Sequence, residues 1–162
     1  MPLNSADFLK AQYLVNKALG NRSLASDARI VISGFEHLTV LIKDFTWPVL
    51  SPAGEVEVWL PGGQKTWQAQ VLETAMQGQI TITETVLGHG YDAIHRLNGR
   101  NVDCTLFEGS PEAFYRSVKI RDAFLKMDPA ERSFESRSQV TQYTGTMFYN
   151  FFGETVLGSL VG

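Results

Sequence analysis

Residues 142–152 read Gln-Tyr-Thr-Gly-Thr-Met-Phe-Tyr-Asn-Phe-Phe, and their order repeats every two positions. Tyr143, Met147, Tyr149 and Phe151 fall on one side, with Gln142, Thr144, Thr146 and Asn150 on the other. A period of two belongs to an extended strand, whose successive side chains point to opposite faces. The other side also carries Phe148 and Phe152, so aromatic rings occupy both faces. Such a strand is either central in a sandwich or buried against another chain. Both readings stand at this point, and the apolar tail at residues 156–161 needs cover as well.

The same period extends back along the chain. Ile30 and Ile32 alternate with Arg29 and Ser33, and Leu38, Val40 and Ile42 alternate with Thr39, Leu41 and Lys43. Trp67, Ala69 and Val71 alternate with Thr66, Gln68 and Gln70, which predicts a regular half-buried strand. Ile80 and Ile82, then Val102, Cys104 and Leu106, then Val118 and Ile120 continue the pattern. Many short strands separated by turn residues predict a mainly β fold, a two-sheet β-sandwich or barrel.

Two segments depart from it. In residues 4–19, Phe8, Ala11, Val15 and Ala18 share a helical face, and Gly20-Asn21 is a stop signal. Leu9, Tyr13, Leu14 and Leu19 lie off that face, so this N-terminal helix is expected either inside the domain or against a neighbour. A short flanking helix is expected over 91–97, ended by Asn98-Gly99. The stretch 47–64 holds Pro48, Pro52, Gly54, Pro61, Gly62 and Gly63 and is expected to form a long excursion, an extended arm. The expected division is a helical arm at 1–28, a β domain at 29–152 bearing the arm 47–64, and a C-terminal tail at 153–162.

At 162 residues the chain is long enough for one self-sufficient core. Fourteen Lys and Arg against 17 Asp and Glu give a net charge of −3, which argues against a protein that grips nucleic-acid phosphates. The acidic surplus is concentrated in residues 29–90, with 3 basic and 6 acidic groups. A single cysteine excludes an internal disulfide and favours a reducing site of synthesis. No apolar run reaches the length of a membrane helix, and Asp7-Phe8 interrupt any secretory leader, so a soluble protein without a membrane anchor is expected. The glycosylation match at Asn21-Arg22-Ser23 is then accidental.

Residues 88–93, Gly-His-Gly-Tyr-Asp-Ala, fit the glycine spacing of a dinucleotide-binding turn, with Glu108 about 20 residues on. A parallel crossover needs a longer helix and apolar flanking strands, so a glycine-softened turn is the better account. His89, Asp92 and His95 lie within seven residues, and His37 stands beside Glu36, but a closed metal site needs four ligands and a supporting shell. Cys104 is in phase with Val102 and Leu106 and belongs to the core. No nucleophile elbow or phosphate loop occurs. The sequence therefore points to a non-enzymatic protein with no catalytic, cofactor or metal residues.

The order of these pieces resembles the tail tube proteins of contractile phage tails, a family related to the inner tubes of type VI secretion systems and phage-like bacteriocins. The layout carries the likeness across residues 29–152: the strand pair in 29–45, the turn opening Trp47-Pro48, strands at 65–72 and 79–85, the helix 91–97, strands at 103–107 and 117–127 with Asp128-Pro129, and the closing strand 140–152. The resemblance implies a structural subunit of a hollow tube inside a contractile sheath. Hexameric rings would close a β-barrel and stack, and genomic DNA would pass through the lumen without specific binding.

It also implies sheath, baseplate and tape-measure proteins as partners, and a virion component made in the bacterial host cytoplasm. The arm and both termini would touch neighbouring copies. Thr- and Gln-rich faces such as Thr66, Gln68, Gln70 and Thr81, Thr83, Thr85 would line a wet channel, and an acidic wall would repel phosphate. The alternatives are a baseplate tube initiator or a bacteriocin or secretion tube subunit, and, from another class, a ligand-binding β-barrel with Trp67, Tyr143 and Tyr149 around its pocket.

Overall fold

The computed structural model describes residues 5–160. Asn4 and Val161, the outermost residues of the expected N-terminal helix and apolar tail, lie outside the described residues. Helix α1 (Ala6–Ala18) opens the described chain. Strands β1 (Arg29–Ile32) and β2 (Ile42–Asp44) follow, then the short strands β3 (Ser51–Pro52), β4 (Glu55–Trp59), β5 (Lys65–Ala69) and β6 (Leu72–Glu73). Next come β7 (Ala75–Thr83), helix α2 (His89–Leu97), β8 (Val102–Gly109), β9 (Phe114–Met127), β10 (Gln142–Asn150) and β11 (Thr155–Leu157).

One antiparallel seven-stranded sheet forms the body, in the order β1-β8-β9-β10-β7-β2, with β11 also on β9. The first part of β9 pairs with β8 and β11, and its last part with β10, so β9 belongs to two layers. The bend between them lies at Asp122, where φ is +52° and the register shifts against both β8 and β10. An extra residue at a positive φ kinks and twists a strand, which lets one sheet fold over on itself. The Asp122 backbone N–H donates to Asp103 Oδ1 at 3.3 Å, and so keeps a partner although it has left the ladder.

The two end strands, β1 and β2, are consecutive in sequence. Residues 33–41 must therefore carry the chain from one edge of the sheet to the other, which draws the edges into a nearly closed barrel. Gly34, at φ +84°, starts the crossing and a 3-10 helix at Glu36–Val40 completes it. Leu38 of that helix plugs the seam and is fully buried with Ile30, Ile32, Ile80, Ile82, Leu106, Ile120 and Met147. Ala93 and Leu97 of α2 cap the same core.

The alternation at Leu38, Val40 and Ile42 predicted a strand, and the structure corrects this. Only Leu38 is buried, while Val40 is 87% exposed, because the crossing requires a turn. The strand at Lys65–Ala69 exists but is not half-buried. It pairs only with β4, forming a hairpin beyond the β3–β6 pair that continues the expected arm. Gly62 and Gly63, at φ +89° and +80°, make its tip. Trp67 therefore lies on the arm, outside the body of the barrel.

Candidate assembly surfaces

The glycine turn has a structural employment. Gly88, at φ +81°, precedes α2, and the Glu84 carboxylate accepts from the backbone N–H groups of Gly90 at 2.8 Å and Tyr91 at 2.9 Å. It also accepts from Thr85 N–H at 2.8 Å. Burial alone would raise the Glu84 pKa. The bonds from Thr85, Gly90 and Tyr91, with the Tyr143 hydroxyl, outweigh it and hold the carboxyl below its ordinary value. The helix N-terminus where a pyrophosphate would sit is already filled by this carboxylate.

His89 shares a 2.9 Å hydrogen bond with Thr85, and the His95 ring meets Tyr91 edge-on at 4.3 Å. Among the described residues no cluster of three or more His, Cys, Asp or Glu has metal-site geometry. Cys104 is buried, and burial first, with Asp103 second, pushes its thiol up to about 12. Trp67, Tyr143 and Tyr149, the residues of the ligand-barrel alternative, do not converge. Trp67 is on the arm, Tyr143 leans on Tyr91 of α2, and Tyr149 is in the core toward the other end of β10.

What the molecule presents instead is unfinished surface. The layer β2-β7-β10 and the end of β9 has free edges on both sides. Among the described residues, β2 is the last strand of the sheet, and β8 pairs with β9 only as far as Ala123, leaving residues 124–127 without a strand partner on that side. The outward face of this layer is polar: Gln77, Gln79 and Thr83 on β7, and Gln142, Thr144 and Thr146 on β10. Its charges are sparse, with Lys126 on β9 and Lys43 and Asp44 on β2. Across β9 and β10 the rings of Phe124 and Phe148 stack at 5.1 Å on the same face.

Thr81 belongs to that face by phase but is 3% exposed, and Thr66, Gln68 and Gln70 are on or beside the arm hairpin. The second free edge and the stacked Phe pair were missed because they depend on where β8 stops. The local signal was Asp122, a charged residue in the core phase of a strand.

The other unfinished surfaces are apolar. No residue of α1 is buried, and Phe8, Leu9, Tyr13, Leu14 and Val15 are all exposed. The arm exposes Val56, Trp59, Leu60 and Trp67, and residues Val71 and Leu72 at its base are also exposed. By the register of β4 and β5, one arm face carries Glu55, Glu57, Trp59, Lys65, Trp67 and Ala69. Lys65 pairs with Glu57 and lies 4.7 Å over the Trp67 ring.

No family model matches the chain, and neither does any curated protein. Solved structures do. The sheath-tube complex of an extracellular contractile injection system, PVC, in the extended state contains a chain similar at a TM-score of 0.61 and 11% identity, over 90% of this chain and 97% of that one. The terminating cap of the anti-feeding prophage tube gives 0.64 and 9%, over 86% and 93%. The PVC sheath/tube terminator gives 0.60 and 9%, over 87% and 99%. The mainly β, nearly closed barrel of this chain is thus a fold similar to that of chains in the tube, cap and terminator structures of contractile injection systems.

Proposed function

We propose that this chain is a non-enzymatic structural subunit of a tail tube, and that hexameric rings of it stack into a hollow tube inside a contractile sheath. The carrying observation is the pair of free edges on one layer: β2 at one side and residues 124–127 of β9 at the other. Exposed edges invite uncontrolled pairing in a monomer, and joining the β2 edge of each copy to the β9 edge of the next removes both edges of this layer. The four-stranded layers of successive copies then form one closed barrel, with the face bearing Gln77, Gln79, Thr144 and Thr146 toward the lumen.

Such a wall is wet and carries few charges. A polymer such as genomic DNA would pass because nothing binds it; the outward face is not acidic enough for repulsion to be the main device. Sheath, baseplate and tape-measure proteins are the expected partners, and the assembled tail of a virion or related particle is the expected location. The similar chains in the PVC sheath-tube complex and the anti-feeding prophage cap support this reading. The cap and terminator likenesses favour a second reading, a subunit that ends a tube and forms a single ring.

Negative-stain microscopy with sedimentation of the purified chain tests both. Rings stacked into tubes of variable length support a tube subunit, and single rings the terminating role. A chain that stays a monomer of 18.0 kDa at every concentration overturns the proposal.

A further inference from the structure

Helix α1 is well specified locally and unsupported globally. Ser5 Oγ accepts from the Phe8 N–H at 3.2 Å, and Asp7 and Lys17 complement the two ends of the helix. Yet 13 residues is about the length at which an isolated helix is marginal in water, and none of these residues is buried. Its apolar side chains point in almost every direction, apart from a basic strip. Lys10 and Lys17 are seven residues apart, which puts them on one side of the helix about 10 Å from each other.

The arm presents the complementary surface. Glu55 and Glu57 are two residues apart on one face of β4, about 7 Å from each other, beside Trp59 and Trp67. Residues 51–73 hold Glu55, Glu57 and Glu73 against Lys65 alone, while residues 5–22 hold Lys10, Lys17 and Arg22 against Asp7. Among the described residues Glu55 makes no ion pair, and Lys10 and Lys17 make none. Within its own chain no residue of α1 is buried, so its apolar side chains are left uncovered.

We infer that α1 docks on the tryptophan face of the arm of a second copy of this chain. Leu14 and Tyr13 flank the basic strip and lie against Trp59 and Trp67, while Lys10 and Lys17 face Glu55 and Glu57. The linker at residues 20–28 spans at most about 30 Å, so the acceptor is an adjacent copy. The docking would strengthen the contact between copies that the tube reading requires, and it rests on that reading.

The test is charge reversal with rescue. The double variant Lys10→Glu with Lys17→Glu should raise the concentration needed for assembly about tenfold or more, because like charges then meet. Glu55→Lys with Glu57→Lys should do the same, and the four changes together should restore assembly. In parallel, Ala6→Cys in one tagged copy, on the side of α1 that carries Lys10 and Lys17, and Ala69→Cys in another, opposite Glu55, should cross-link between chains on oxidation. If the unaltered chain assembles while the reversed variants match it, or if assembled mixtures of the two cysteine variants give no cross-link, the docking is wrong and the tube reading survives. If the unaltered chain never assembles, both fall.

Discussion

Gly145 shows why single positions in the central strand resist change. It stands in the core phase of β10 opposite Met127, and a Cβ there would lie 2.4 Å from the Lys126 carbonyl oxygen and 2.6 Å from the Met127 Cα. Backbone cannot move aside as a side-chain tip can, so Gly145→Val should cost about 2–3 kcal/mol in urea unfolding. Glu84 is the second such position. Glu84→Ala removes the acceptor at the start of α2 and should cost about 1 kcal/mol, read by denaturation followed through the helical signal. Its folded pKa is depressed, so the carboxylate's contribution is present above its ordinary value of 4.5 and is lost as pH falls through the folded value. The alanine variant should show a shallower loss of stability on acidification over that range. The burial of Cys104 was legible from its phase between Val102 and Leu106. The work of Glu84 was not, because its partners are backbone groups up to seven residues ahead and the hydroxyl of the sequence-distant Tyr143.

Among the elements, those with one buried face were legible and those built for other surfaces were not. Tyr143, Met147 and Tyr149 in β10 alternate with more exposed residues because water is excluded from one side. Lys65–Ala69 alternates just as well, yet both its faces are exposed. A two-residue period reports an extended backbone and says nothing of which protein covers it. The stretch at 38–42 failed for a different reason: a chain crossing between sheet edges must turn, and Leu38 has one buried place to go. Trp47 packs against the core, so an excision of the arm must spare it. Replacing residues 54–70 with Asn-Gly keeps the β3–β6 pair and supplies a two-residue turn. Near-unchanged thermal unfolding with loss of tubes by microscopy is the expected outcome; normal tubes would remove the arm from assembly.

For the whole molecule the decisive prediction concerns the two free edges and their proposed joining. Lys43 lies on β2 and Lys126 on the unpaired end of β9, at opposite sides of the same layer. A Lys43→Cys, Lys126→Cys double variant treated with a short bifunctional thiol reagent should give a ladder of covalent oligomers ending at six. Buried Cys104, with its thiol pushed up to about 12, should stay silent and leave the ladder unambiguous. A ladder that ends at two, or none in samples that form tubes, would place the contact elsewhere. Sequence alone could not have located these edges, because they are defined by where β8 ends and by the kink at Asp122.

The strand order of the body also times its use. In the layer with two free edges, β2, β7 and the end of β9 all precede β10 in the chain, yet β10 is the strand that joins β9 to β7. Until residues 142–150 have been synthesised, the two edges belong to separate fragments and no complete layer exists to offer to a neighbour. In the proposed ring assembly a growing chain on the ribosome would therefore be unable to join, and the late middle strand would act as a release catch that confines polymerisation to subunits in which the layer is complete.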